Sequence, residues 1–134
     1  MSQSLADKPM ICAGGCHCGA VRFRVVVRRQ VALECNCSVC SMKGFLHLIV
    51  PAADFELLEG ESSLSTYTFG THAAKHHFCR HCGIHSFYIP RSHPDGVDVN
   101  LRCLNPELLS RFRVESFDGR NWEGHIDEIA GYEG

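Results

Sequence analysis

Seven of the nine cysteines fall into three short clusters, Cys16-His-Cys18, Cys35-Asn-Cys37-Ser-Val-Cys40 and Cys79-Arg-His-Cys82. No other feature constrains the fold as tightly. Zinc–sulfur bonds of about 2.3 Å in a tetrahedron put neighbouring sulfurs a little under ~4 Å apart, so clusters that share an ion must meet in space. A Cys-x-x-Cys turn satisfies that spacing, and Gly83 lets the backbone curl beneath Cys79 and Cys82 in a conformation that costs other residues energy. Cys16 and Cys18 sit between Gly14-Gly15 and Gly19, and residues i and i+2 of an extended segment share a face. The first and third clusters therefore read as two halves of one structural zinc site that fastens distant parts of a small sheet.

The middle cluster differs in kind. Cys35, Cys37 and Cys40 fill three of four ligand positions from a single loop. Completed by Cys103, Cys12 or a histidine, it is a second structural site; left open, its fourth place takes a water or a substrate. In the open case, ligand softness narrows the chemistry. Three thiolates outweigh the charge of a divalent zinc, which is then a weaker Lewis acid, and a poorer activator of water, than zinc held by neutral imidazoles. A soft anionic sulfur still suits it, so the site favours binding a thiol as its thiolate over hydrolysis. The spacing also allows a different pairing, in which the first and middle clusters share a metal and Cys79 and Cys82 pair with His76, His77 or His85.

Disulfides are the rival use of so many cysteines. The count is odd, and cysteines one residue apart are poorly placed to bridge each other. At 134 residues the chain is long enough to bury a core of Val, Leu, Phe and Ile without staples. The N-terminal MSQSLADKPM lacks the basic-then-apolar layout of a secretory signal, so a reducing, cytoplasmic setting is expected. With 21% charged residues and a net charge of −2, the composition gives no basis for nucleic-acid or membrane partners. No apolar run approaches the ~20 residues needed to cross a bilayer.

Hydrophobic periodicity reads as mainly β. Val21, Phe23, Val25 and Val27 share one strand face, with Arg22 and Arg24 on the other. Phe45 to Val50 is a nearly continuous apolar run ended by Pro51, as in a central strand. Phe55 to Leu58, Leu64 to Phe69 and Ser86 to Ile89 are further strands, and Val97-Asp-Val-Asn-Leu101 alternates cleanly. One short helix is predicted, capped by Asn105, with Pro106 in its first turn and Glu107 to Ser110 completing it. Residues 1–10 and 127–134 read as tails around a single domain at 11–126, and the many short strands indicate a small sandwich or open barrel.

Three segments carry a resemblance. Gly14-Gly-Cys-His-Cys-Gly-Ala-Val-Arg-Phe23, Cys35-x-Cys-x-x-Cys40, and Phe78-Cys-x-x-Cys-Gly83 followed by an aromatic strand and Pro90 together resemble the glutathione-dependent formaldehyde-activating enzyme family. The likeness runs over about residues 12 to 125. Within that family, Thr66-Tyr-Thr-Phe-Gly-Thr-His72, Ser86-Phe-Tyr-Ile-Pro-Arg91 and Arg102-Cys-Leu104 are similar to the centromere protein V branch. The resemblance implies a β-tent (Mss4-like) fold. It implies a structural zinc on Cys16, Cys18, Cys79 and Cys82, and a catalytic zinc on Cys35, Cys37 and Cys40. The implied reaction is addition of glutathione to formaldehyde, giving S-hydroxymethylglutathione, or its reversal by carbon–sulfur cleavage, which makes the chain a carbon–sulfur lyase.

Several other residues have two readings. Cys103 shares a face with Val97, Val99 and Leu101, as a core thiol or as a neighbour of the open zinc; Cys12 is a spare thiol near the first strand. His72, His76, His77, His81 and His85 crowd the third cluster, as bystanders or as the proton donor that thiol addition to a carbonyl needs. Lys43, Arg91 and Arg102 meet the carboxylates of a peptide-like thiol or remain solvated. The alternative to an enzyme is a non-catalytic, zinc-stabilised module that binds a partner protein. A nucleic-acid-binding zinc ribbon is disfavoured by the acidic balance.

Overall fold

A computed structural model describes residues 9–118. Of the two tails, residues 1–8 and 127–134 lie outside the described residues, as does 119–126; Met10 already belongs to the first strand. In chain order the strands are β1 (Met10–Gly15), β2 (Arg22–Val27), β3 (Val31–Cys35), β4 (Leu46–Pro51), β5 (Phe55–Glu59), β6 (Leu64–Tyr67), β7 (His76–Cys79), β8 (Phe87–Tyr88), β9 (Gly96–Asn100) and β10 (Arg113–Phe117). They form a three-stranded sheet β1-β2-β5, a five-stranded sheet β10-β3-β4-β9-β8 and the hairpin β6-β7. All pairings are antiparallel except β10 with β3. The protein is mainly β, and its sheets are open rather than closed into a barrel.

The larger sheet divides its residues between two environments by strand alternation. Leu48 pairs with Val99, and Val99 with Phe87, so these three share a face. That face packs with Phe23, Val25 and Val27 of β2 into the main core. The β2 alternation predicted from sequence therefore holds, with Arg24 turned outward to Glu56. On the opposite face Leu33 pairs with His47, Ile49 with Asp98, and Asp98 with Tyr88. Cys35, at the end of β3, continues this second face.

Two local expectations change. All five residues of β9 are buried, so its polar positions Asp98 and Asn100 do not face water. The strand ends at Asn100, whose side chain accepts from Arg102 N–H at 3.1 Å and starts a 3₁₀ turn over Leu101–Cys103. That turn breaks the period of two. Cys103 therefore does not extend the Val97/Val99 face, and sits half-buried with its thiol towards the His85 carbonyl.

The predicted helix is a 3₁₀ segment, Pro106–Arg111, capped as expected by Asn105, whose side chain accepts from Glu107 N–H at 3.0 Å. Its i→i+3 bonds suit a short connector whose end must carry Phe112 back into the core. Among the described residues the α-helix, α1, is Ser38–Lys43, inside the middle cysteine cluster.

Phe23 is fully buried, with ring centroids 5.3 Å from Phe55 and 6.0 Å from Phe87, and so joins the two sheets. Phe23→Ala should destabilise the domain by about 3–5 kcal/mol, read as a lower denaturation midpoint at unchanged m-value.

Candidate functional site

The first and third cysteine clusters converge. Cys16 and Cys18 lie in the β1–β2 turn, Cys79 ends β7 and Cys82 lies in the turn beyond it. The Cys18 sulfur is 3.6 Å from those of Cys16 and Cys79, and all four sulfurs lie within 4.8 Å of one another. Gly83 takes φ +79°, the left-handed conformation the turn was expected to need, and its N–H bonds to the Cys79 carbonyl at 2.7 Å. Backbone N–H groups of Val21 and His81 point at Cys16 and Cys79 Sγ, 3.3 and 3.4 Å away. Burial opposes ionisation of Cys82, but N–H groups of Cys18 and Ile84 and the neighbouring sulfurs outweigh it, lowering the thiol to about 6.

Cys35, Cys37 and Cys40 form a second, separate group, also within 4.8 Å. A strand-to-helix turn builds it: Cys35 ends β3, Cys37 is the N-cap of α1, and Cys40 lies in its first turn. The Cys37 sulfur accepts from Cys40 N–H at 3.4 Å, the capping role that a Ser or Asp oxygen more often fills. Its pKa is pulled down first by the Cys35 and then by the Cys40 thiol. The Cys37 contact pushes Cys35 up to about 11, and Cys35, then Cys37, push Cys40 up strongly. One thiolate thus shares the protons of two thiols. A divalent cation relieves that crowding by displacing the protons, so both groups are chemically fit to hold a metal ion.

Neither Cys12 nor Cys103 joins the three-sulfur group, and no histidine does among the described residues. Cys12 lies in the core. Cys103 stands nearer the four-cysteine group: burial raises its thiol to about 11, and Cys16 and Cys82 add to the shift.

A cavity of about 230 Å³ opens beside the three sulfurs, walled by Cys37, His47, His76, Tyr88 and Asp98, with Arg91 among its lining residues. A second, about 500 Å³, also reaches Cys35 and Cys40 and carries Glu34, Asn36, Arg102 and Asp118. His47 and Asp98, 3% and 1% exposed, are joined by a 2.5 Å bond from Nδ1 to Oδ2. Burial, then the Asp98 charge, holds Tyr88 well above the usual phenol range, so it remains neutral.

Sequence reasoning missed this His47–Asp98 pair. Its signal was present: one imidazole inside an otherwise apolar strand and one carboxylate inside an alternating one. Each is affordable only where a partner satisfies it.

The remaining candidates separate. Arg102 Nε donates to the Gly44 carbonyl at 2.9 Å on the rim of the larger cavity. His72 and His77 bond to the Thr68 and Thr66 hydroxyls, 2.8 Å each, and His81 is exposed. His85 packs against Phe78, and burial, then Lys43, lowers its pKa to about 4. Only His76 of the five lines the smaller cavity.

Residues 11–118, which carry both cysteine groups and both cavities, match the family described as glutathione-dependent formaldehyde-activating enzyme. The chain belongs to this family. It is 34% identical over 108 residues to a Halomonas elongata protein provisionally named as such an enzyme, covering 74% of this chain and 69% of that one. A crystal structure of a Rhodobacter sphaeroides protein is similar in fold. Its TM-score is 0.67 at 36% identity, over 76% of this chain and 98% of that one.

Asp98→Ala should cost about 3 kcal/mol in chemical denaturation, because it removes the carboxylate to which the buried His47 imidazole bonds.

Proposed function

We propose that the protein is a zinc-dependent carbon–sulfur lyase that joins a thiol such as glutathione to formaldehyde or another small aldehyde, and cleaves the adduct in reverse. One observation carries the reading: three converging sulfurs, with no fourth protein ligand among the described residues, at the wall of a cavity. Cys35, Cys37 and Cys40 hold the catalytic zinc, and Cys16, Cys18, Cys79 and Cys82 the structural one. Bound there, the catalytic zinc supplies a soft cation that keeps a substrate sulfur ionised at neutral pH. The chain's own residues do the rest. The larger, polar cavity suits the peptide part of the thiol, and the smaller confines the carbonyl carbon close to the sulfurs.

We place the chain on the centromere protein V side of the family. Phe69, Gly70 and Thr71, with Tyr88, Pro90 and Arg91, come from the segments that carry that likeness, and they line the smaller cavity. Branch differences then tune the carbon substrate rather than the metal. All nine thiols are unbridged, which fits a reducing, cytoplasmic setting.

A second reading, a zinc-stabilised interaction module, is favoured by Met42 and Tyr67, 89% and 52% exposed beside one outer depression. Exchange spectroscopy separates the two. With glutathione and ¹³C-formaldehyde, the protein should speed exchange between free aldehyde and adduct, and no acceleration would favour the module. Cys37→Ser should keep the fold and one zinc of two by elemental analysis, while exchange falls to background. Cys82→Ser should lose cooperative unfolding altogether, since structural metal binding is folding energy. Equal unfolding by both variants would make the three-sulfur site structural.

A further inference from the structure

Lys43 ends α1, yet its side chain turns inward. Its Nζ lies 4.6 Å from the Tyr88 ring centroid and 5.1 Å from that of Phe45, an aromatic cradle for an ammonium. The same nitrogen is 2.9 Å from His76 Nδ1. An ammonium has hydrogens to give and no lone pair to accept with. Nδ1 must therefore be the acceptor, and the ring proton of a neutral His76 is on Nε2. Burial, then the Lys43 charge, lowers His76 to about 4, so the ring is neutral at physiological pH.

The ring is also clamped. Tyr88 stacks on it at 4.7 Å and 12°, and Phe69 at 5.5 Å and 20°. Both faces are occupied, leaving the edge as its functional part. His76 lines the smaller cavity with the three cysteines, whereas Lys43 lines the outer depression beside Met42. The pair spans the wall between them.

We infer that His76 is the catalytic hydrogen-bond donor for the substrate oxygen, with Lys43 as the positioning residue that fixes and polarises its Nε2–H. The inference deepens the lyase reading and rests on it. As the substrate sulfur's electron pair forms the C–S bond, the C=O π pair moves onto oxygen, and the His76 N–H meets the growing charge. Water protonates that oxygen as the adduct leaves, balancing the proton the thiol gave up on ionising. Other wall groups serve less well. The Tyr88 hydroxyl is engaged by Asp98, and His47 donates from Nδ1 to the Asp98 carboxylate, which leaves Nε2 of a neutral His47 ring without a hydrogen to give. The substrate class is then a small carbonyl compound, whose oxygen takes on negative charge, rather than a carbon centre without one.

The decisive variants are His76→Phe, which keeps the stack without an N–H, and His76→Gln, which returns an amide N–H near the Nε2 position. His76→Phe should lower kcat for exchange about 100-fold with the thiol KM unchanged, the size of effect seen on losing one oxyanion donor. His76→Gln should regain about 10-fold of that, and Lys43→Met should lose about 10-fold. Ring ¹⁵N NMR reads the arrangement without turnover: His76 should be the pure Nε2–H tautomer, and a mixture in Lys43→Met. An Nδ1–H tautomer in the unaltered protein overturns the inference, as does His76→Phe exchanging at the full rate. If His76→Phe fails to fold, Lys43→Met and the tautomer decide. An unaltered protein that exchanges nothing removes the lyase reading and this one together; one that exchanges normally with His76 removed refutes this inference alone.

Discussion

The antiparallel pairing of β4 with β9 is the constraint on which both the core and the site depend. Because side chains alternate, Leu48 and Val99 must face the core when His47, Ile49, Asp98 and Asn100 face away from it. A slip of one residue would place His47 and Asp98 among Phe23, Val25 and Phe87, where no partner waits for a charge. Burial of the apolar set thereby fixes the polar set on the opposite face. Cys35 joins that face through β3, and Tyr88 through β8. One sheet thus serves as core on one side and as wall of the site on the other.

Charge balance governs the second layer of the design. Three thiolates around a divalent ion carry a formal −1, and Asp98 adds a further negative charge under the same wall. Lys43 is the compensating cation. Burial lowers its pKa, while Cys40, Asp98 and Cys37 hold the charge on it. The six-residue α1 supplies both parts of this balance, with Cys37 and Cys40 at its start and Lys43 at its end. Gly44, left-handed at φ +66°, ends the helix so that Phe45 can lead into β4 beneath the lysine.

The two cysteine groups divide the work by position. With a metal bound, the four-sulfur group would join the β1–β2 turn to the end of β7 and clamp the β6-β7 hairpin to the smaller sheet. Loss of that clamp would release His76, the first residue of β7, from its place between Phe69 and Tyr88. A metal on the four-sulfur group would therefore support the three-sulfur one through the hairpin, although they share no ligand. This is the expected relation of a rigid support to a functional wall.

Much of this was legible in the order of residues. The spacing within each cysteine cluster suits a metal, and that could be read locally; the β2 alternation and the cap at Asn105 were equally local. The buried His47–Asp98 bond, the path of Lys43 to His76, and the burial of β9 on both sides could not. Each depends on what the opposite strand or helix contributes, and a polar residue at an alternating position looks the same whether it meets water or a buried partner. Cys103 illustrates the limit. Its face followed from periodicity only while the strand lasted, and the Asn100 cap that ended it is a side-chain bond made in three dimensions. Sulfur spacing within each cluster was legible in sequence because tetrahedral ligation leaves few spacings; which clusters meet, and where the imidazole, the carboxylate and the ammonium sit, was decided by the packing of strands that lie far apart along the chain.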